Sequence, residues 1–341
     1  MICIIFIKGE FKVDINEIKL NKKHFSQIGL IMFLGTLIVY AVQLLALFIA
    51  ERIPAISESA NLSFVFVMLP MYIIAFPIIF AMLKKVPVQL TGEKKTMKKS
   101  HFLMGFLITY AFMYVSNLGG TILTTIISLI TKNPVTNTVL DVTGSINPFV
   151  NFLIIVIIAP IMEELLFRKF LIERTSAYGE GIAVFLSALM FGLFHGNLSQ
   201  FIYAFVLGIF FGFFYVKTRN LLYPILLHML INFLGGFVSS LLLKISGYME
   251  LLQNISADGI NMDWIYEHLL GLSLFLLYSG LLMVCVLIGI ILFAINQHKF
   301  VFNQGEVVIE KGQHFKTVIL NLGVLLYCIF WIGMIVYQLV I

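Results

Sequence analysis

Charge is what this sequence has least of. Asp, Glu, Lys and Arg make up 11% of its 341 residues, against roughly 25% in an ordinary soluble domain, while 60% of the chain is apolar. That balance excludes a water-soluble fold and leaves a polytopic membrane protein. Cysteine is scarce as well. Cys3, Cys285 and Cys328 share neither disulfide nor metal-ligand spacing, so no disulfide framework and no thiolate metal site is expected. There is no phosphate-cradling glycine loop, no low-complexity tract, and no basic and aromatic surface pattern of a nucleic-acid binder, so nucleic acid is not an expected partner. An internal repeat of the kind transporters show is missing, and so is an HExxH pair. The apolar start, Met1 to Ile7, lacks a basic leader and a small-residue cleavage site, which makes it an interfacial tail rather than a cleaved signal.

What is present is a series of apolar stretches. About 20 residues are needed to cross a hydrocarbon core of about 30 Å, and nine stretches are candidates: Ile28 to Ala50, Leu62 to Met82, Phe102 to Ile130, Pro148 to Phe170, Gly181 to Phe194, Leu198 to Val216, Leu221 to Leu243, Leu269 to Ile295 and Val318 to Ile341. The fifth is the shortest. The expected fold is therefore all-α, a transmembrane bundle of about nine spans. Cytoplasmic loops carry an excess of Lys and Arg. With the N-terminus inside and the C-terminus outside, the outer loops hold Arg52, Lys132 and Lys244, and every other Lys and Arg of the 22 lies on the inner side. The net charge of +5 then reads as attraction to an anionic inner leaflet, with the lipid bilayer as a partner. Between the last two spans, Phe300 to Ile309 carries Asn303, Gln304 and Gly305 between short apolar runs, the pattern of a small hairpin.

Against this background, four residues are out of place. Glu163 and Glu164 are the two carboxylates inside a span among 17 in the chain, and His195 and His228 are the histidines within or at the end of a central span. An ionisable group in the hydrocarbon region costs a few kcal/mol or more and marks a functional interior. Glu164 and Arg168 are four apart, share a helix face and can pair. Glu163 is rotated by about 100° from its neighbour and has no local partner, which leaves it available for proton chemistry. Counted from a turn at Gly179, Glu163 and His195 are equally far away on antiparallel helices. His228 and Asn232, again four apart, enter from a second turn near Asn220, about 12 to 18 Å into the bundle at 1.5 Å per residue. If the Gly179 turn projects beyond the membrane, the four positions meet in its cytoplasmic half.

A carboxylate beside imidazoles can hold a water as general base, and His and Asn donors can stabilise a tetrahedral oxyanion. Water attack on an amide needs no Ser or Cys nucleophile, and neither Ser199 nor Cys285 has an evident base partner. Glycines at 192 and 196 and at 208 and 212 allow close helix approach and read as packing.

The segments Glu163-Glu164-Leu-Leu-Phe-Arg168, Phe191-Gly-Leu-Phe-His195 and His228-Met-Leu-Ile-Asn232 resemble, in order and spacing, the EExxxR, FxxxH and HxxxN motifs of the CPBP intramembrane proteases. That family groups CAAX prenyl proteases of the Rce1 type with bacteriocin-processing and self-immunity (Abi) proteins. The resemblance covers about Pro148 to Phe237. It implies an α-helical endopeptidase in which Glu163 activates water with help from His195, while His228 and Asn232 stabilise the oxyanion. Glu164, Arg168 and Phe191 are read as supporting residues. No cofactor is expected, the alternative being zinc held by Glu163, His195 and His228. The chain divides as 1–147, an N-terminal tail and three spans; 148–243, the four-helix catalytic core; and 244–341, the last two spans with their inner loop. The expected activity is hydrolysis of a peptide bond near the cytoplasmic interface of a bacterial plasma membrane, on a peptide or membrane-associated protein substrate, in peptide or bacteriocin maturation or self-immunity. A non-catalytic immunity or assembly factor on the same scaffold is the contrasting reading.

Overall fold

A computed structural model describes residues 15–90, 93–132, 146–247 and 262–340. The Met1 to Ile7 tail, and part of the outer segment that follows Gly247, lie outside these residues. Among the described residues there is no strand, and eight helices are long and apolar enough to cross a membrane. The protein is an all-α, multi-pass membrane bundle.

The long elements are α1 (Ile15–Ala50), α2 (Ala60–Leu83), α3 (Lys99–Thr131), α4 (Pro148–Ile172), α5 (Glu180–Phe194), α6 (Leu198–Thr218), α7 (Leu222–Ile245), α8 (Met262–Asn296) and α9 (Leu322–Val340). Helix is the necessary form here, because lipid offers nothing to an unpaired backbone amide. The fifteen residues of α5 reach about 22 Å, so the shortest expected span is a helix that stops short of a full crossing. It ends at the turn His195–Gly196–Asn197. There Gly196 takes a left-handed φ of +68°, and Asn197 caps α6 by accepting from the Gln200 N–H at 2.8 Å.

Helices α4 to α7 form the centre of the bundle. On one flank α1 lies along α9 and α2, with α9 also touching α5; on the other, α3 lies along α6 and α8. The last two spans therefore pack chiefly on different neighbours, α8 on α3 and α9 on α1. Tyr327 of α9 donates its hydroxyl to the Met190 carbonyl of α5 at 2.7 Å, which ties the final helix to a central one.

The α5 and α6 pair runs antiparallel in close contact, and its glycines have the packing role their spacing suggests. A Cβ at Gly208 would stand 2.7 Å from the Cα of Ala188, and one at Gly212 would stand 2.9 Å from the Val184 side chain. Backbone cannot move aside as a side-chain tip can. We expect Gly208→Val to separate α5 from α6 at a cost of about 1–3 kcal/mol or more, read as a lower melting temperature of the detergent-solubilised protein.

One end of the bundle is tied down by two loops. From the α2–α3 loop, the Gln89 and Leu90 N–H groups both donate to the Glu173 carbonyl, and the Lys95 N–H donates to the Thr218 carbonyl. The Met97 N–H donates to the Tyr223 hydroxyl. From the α8–α9 loop, the Val307 N–H donates to the Ala177 carbonyl and the Asn303 carbonyl accepts from the Glu180 N–H, while the Asn303 N–H returns to the Glu180 carboxylate at 2.8 Å. Phe300 to Ile309 is thus no hairpin. Its backbone groups find partners on the α4–α5 turn and the first turn of α5, so they need none on a second strand. Lys217 closes the same end by pairing with Glu180 at 2.5 Å.

Candidate active site

The site begins with a proline. In α4 the stretch Phe152–Ile158 is wound as a π-helix, and the Ala159 N–H bonds to the Ile154 carbonyl, five residues back. In that register the next donor is Pro160, which has no N–H. The Ile155 carbonyl is left open, and Asn232 of α7 fills it through Nδ2 at 2.9 Å. One of the two amide protons of Asn232 is so used, leaving the second. Glu163 and Glu164 follow on the short α-helical piece Ala159–Glu164, before a second π-helical stretch, Leu165–Ile172. Such widened turns are frequent at functional sites.

The two glutamates differ completely in their surroundings. Glu164 has no exposed side-chain surface and pairs with Arg168, equally buried, at 2.9 Å from Nε to Oε2. A second Arg168 nitrogen, Nη2, donates to Oε1 at 3.3 Å. The remaining fork of Arg168 donates through Nη1 to the Ser187 hydroxyl at 3.0 Å, and Ser187 in turn donates to the Phe167 carbonyl at 2.7 Å. The guanidinium carbon lies 4.6 Å from the centre of the Phe191 ring, which makes Phe191 a cation–π support as well as a packing residue.

Glu164 has a further partner that its helix does not reveal. His228 Nδ1 lies 3.0 Å from Glu164 Oε1, so this nitrogen carries the proton and donates it to the carboxylate. The imidazole is held flat against Phe211, with ring centres 5.0 Å apart. Its other nitrogen, Nε2, is thereby aimed at Glu163, 3.9 Å from Oε2. Glu163 keeps 13% of its side-chain surface exposed and has no cationic partner as close as the one Glu164 has in Arg168.

His195 closes the last turn of α5. Its Nδ1 lies 2.9 Å from the Phe191 carbonyl; a carbonyl only accepts, so Nδ1 bears the proton and Nε2 is a free acceptor in the neutral ring. Phe191 stands edge-on to both imidazoles, at 5.0 Å from His195 and 5.8 Å from His228. The structure thus groups Glu163, Glu164, Arg168, Phe191, His195, His228 and Asn232 in one cluster between α4, α5 and α7. Direct contact joins Glu163 to His228, whereas His195 approaches through Phe191.

Four residues around this cluster were not apparent from the motifs. Ser187 lies on the same stripe of α5 as Phe191 and His195, each four residues apart, a spacing visible in the chain. Phe211 comes from α6. Tyr72, on the π-helical turn Met71–Ala75 of α2, and Tyr203 of α6 lie within electrostatic range of Glu163; nothing in the sequence points to Tyr72. The set that zinc would need, Glu163, His195 and His228, does not converge: among the described residues no three His, Cys, Asp or Glu side chains are placed to hold a metal ion.

The seven motif residues of this cluster fall within one recognisable segment. Residues 145–234 match the Rce1-like family of type II CAAX prenyl endopeptidases. No curated protein and no solved structure gives a match. The Rce1-like segment takes in α4, α5 and α6 and the part of α7 that carries His228 and Asn232, about a quarter of the chain. The family is one of proteases, which agrees with the resemblance carried by the three motifs and with a peptide hydrolase embedded in a membrane. The flanking helices α1 to α3, α8 and α9 lie outside the match.

Proposed function

We propose that the protein is an intramembrane endopeptidase that uses Glu163 to activate water. The observation that carries this reading is the contrast between the adjacent carboxylates: Glu164 is neutralised by Arg168 and occupied by His228, whereas Glu163 lies beside His228 Nε2, keeps part of its surface exposed and has no such counterion. Glu163 takes a proton from a water that the free Nε2 of His195 orients. The hydroxide adds to the scissile carbonyl carbon, and the carbonyl oxygen becomes an oxyanion. The second amide proton of Asn232, and Nε2 of His228 when that ring holds both protons, donate to this oxygen. Glu163 then passes its proton to the leaving amine as the tetrahedral intermediate collapses, which returns it to the carboxylate form. No step runs through a metal.

The substrate is a peptide or membrane-associated protein, met in a bacterial plasma membrane, in peptide or bacteriocin maturation or self-immunity. Richness in Ile and Phe and a strong preference for Lys over Arg, together with short loops, support this setting over prenyl-protein processing, which needs a eukaryotic modification.

The test is cleavage of a peptide library by the purified, detergent-solubilised protein before and after chelator treatment. Cleavage unchanged by the chelator is the expected result. Loss on chelation that zinc restores would replace the glutamate mechanism with a metal-dependent one, and an inert but folded protein would favour the non-catalytic immunity or assembly role.

A further inference from the structure

Helix α2 runs beside α4 in the same direction. Its Ala60–Pro70 part touches Phe152–Ile158, and its Phe76–Leu83 part touches Leu165–Ile172. The pieces between, Met71–Ala75 and Ala159–Glu164, therefore stand at one level, which puts Tyr72 beside the turn that carries Glu163. The two helices also share a local irregularity. On α2 the Phe76 N–H bonds to the Met71 carbonyl, five residues back, and Pro77 follows with no N–H, as Ala159 and Pro160 do on α4. Tyr72 is 3% exposed. Its ring meets Phe76 edge-on at 5.4 Å, and Phe76 meets Phe194 at 6.0 Å, so a chain of rings joins Tyr72 to the end of α5, where His195 is the next residue. Tyr72 thus comes within electrostatic range of Glu163 from the His195 side of the cluster, whereas His228 and Asn232 come from α7.

Burying a hydroxyl without a hydrogen bond is costly, yet among the described residues the Tyr72 hydroxyl has no partner. Tyr203, the other tyrosine near Glu163, is engaged by Gln200, one turn earlier on its own helix. An unmet donor beside a carboxylate calls for a water, and a buried water makes about three hydrogen bonds. Glu163 and Nε2 of His195 supply two of them. We infer that the Tyr72 hydroxyl supplies the third, donating to the water that Glu163 and His195 hold, so that Tyr72 is a further catalytic residue contributed by a helix outside the Rce1-like segment. The two water protons then face Glu163 and His195, one lone pair accepts from Tyr72, and the other lone pair is left for the scissile carbonyl carbon. Tyr72 keeps its own proton throughout, because the proton that the water loses goes to Glu163. This role rests on the protease reading and adds to it the group that fixes the direction of attack.

Tyr72→Phe removes the hydroxyl and nothing else. In the purified, detergent-solubilised full chain, on a peptide that the unaltered protein cleaves, kcat should fall by about 10- to 10²-fold while KM stays within about twofold, since the contact is to the water and not to the bound peptide. The melting temperature should not move, because the hydroxyl bonds to no other part of the protein. A double-mutant cycle supplies a readout that a packing role would leave unchanged. Combined with His195→Ala, which loosens the same water, Tyr72→Phe should cost only about threefold or less, whereas combined with Asn232→Ala, which acts on the carbonyl oxygen, the two losses should multiply. A Tyr72→Phe protein with unaltered kcat overturns the assignment, as do losses that multiply equally in both backgrounds. A Tyr72→Phe protein that melts earlier or fails to accumulate overturns it too, by making the hydroxyl a structural group. Absence of cleavage by the unaltered protein is a different result: it removes the protease reading itself, and the role of Tyr72 with it.

Discussion

Glu163→Gln is expected to abolish peptide cleavage while leaving the protein folded, inserted and as stable to heat as the unaltered chain. Loss of general-base and general-acid function lowers rates by about 10²–10⁴-fold, and here one group serves both directions of proton transfer, so the measured loss should lie at the upper end or beyond. The substitution changes shape by almost nothing. It also leaves the buried set of Glu164, Arg168, Ser187 and His228 intact, because none of the hydrogen bonds among them uses Glu163. The comparison that gives the result meaning is Glu164→Gln, which weakens the pair with Arg168 and the bond that orients His228 and should lower the melting temperature together with activity. A Glu163→Gln protein that still cleaves would remove Glu163 as the base. One that fails to accumulate in the membrane would make it a structural residue.

Much of this arrangement is legible in the chain, and the parts that are not share a physical cause. The spans are readable because lipid allows few alternatives to a long apolar helix. The pairing of Glu164 with Arg168 is readable because four residues separate them along one helix. Ser187 could have been found in the same way, from its place one turn before Phe191. The role of Pro160 could have been found too, since a proline one turn ahead of two glutamates frees a carbonyl that some donor must satisfy. Other features depend on which helices become neighbours, and periodicity carries no record of that. The bond from His228 to Glu164, the stacking of Phe211 and the approach of Tyr72 all join separate spans. Phe300 to Ile309 misleads for a related reason: its alternation is that of a strand, but its partners are turns 120 and more residues earlier in the chain.

Arg168→Ala is expected to reduce the amount of folded protein more than any other single change considered. Removing one member of a fully buried ion pair leaves the other charged and unpaired, at a cost of about 3–5 kcal/mol, a large part of the 5–15 kcal/mol that separates a typical native state from unfolding. The loss extends beyond the pair, because Ser187 and the Phe191 face lose the guanidinium as well. Arg168→Lys keeps the charge but not the planar fork that spans both Glu164 oxygens and Ser187, and should fall between. The informative experiment removes both charges at once. Glu164→Gln with Arg168→Met should recover much of the folded yield, since a buried pair replaced by groups of similar volume is often neutral in stability. The recovered protein should still cleave slowly, because a neutral amide holds the His228 Nδ1 proton less strongly than a carboxylate does, and Nε2 then loses its aim at Glu163 and the substrate oxygen. Size-exclusion profiles in detergent, melting temperatures and peptide cleavage on the same preparations separate the two effects. A well-folded but inactive Arg168→Ala protein would move the arginine into the chemistry, whereas a double variant with full activity would show that Glu164 orients nothing and serves the fold alone.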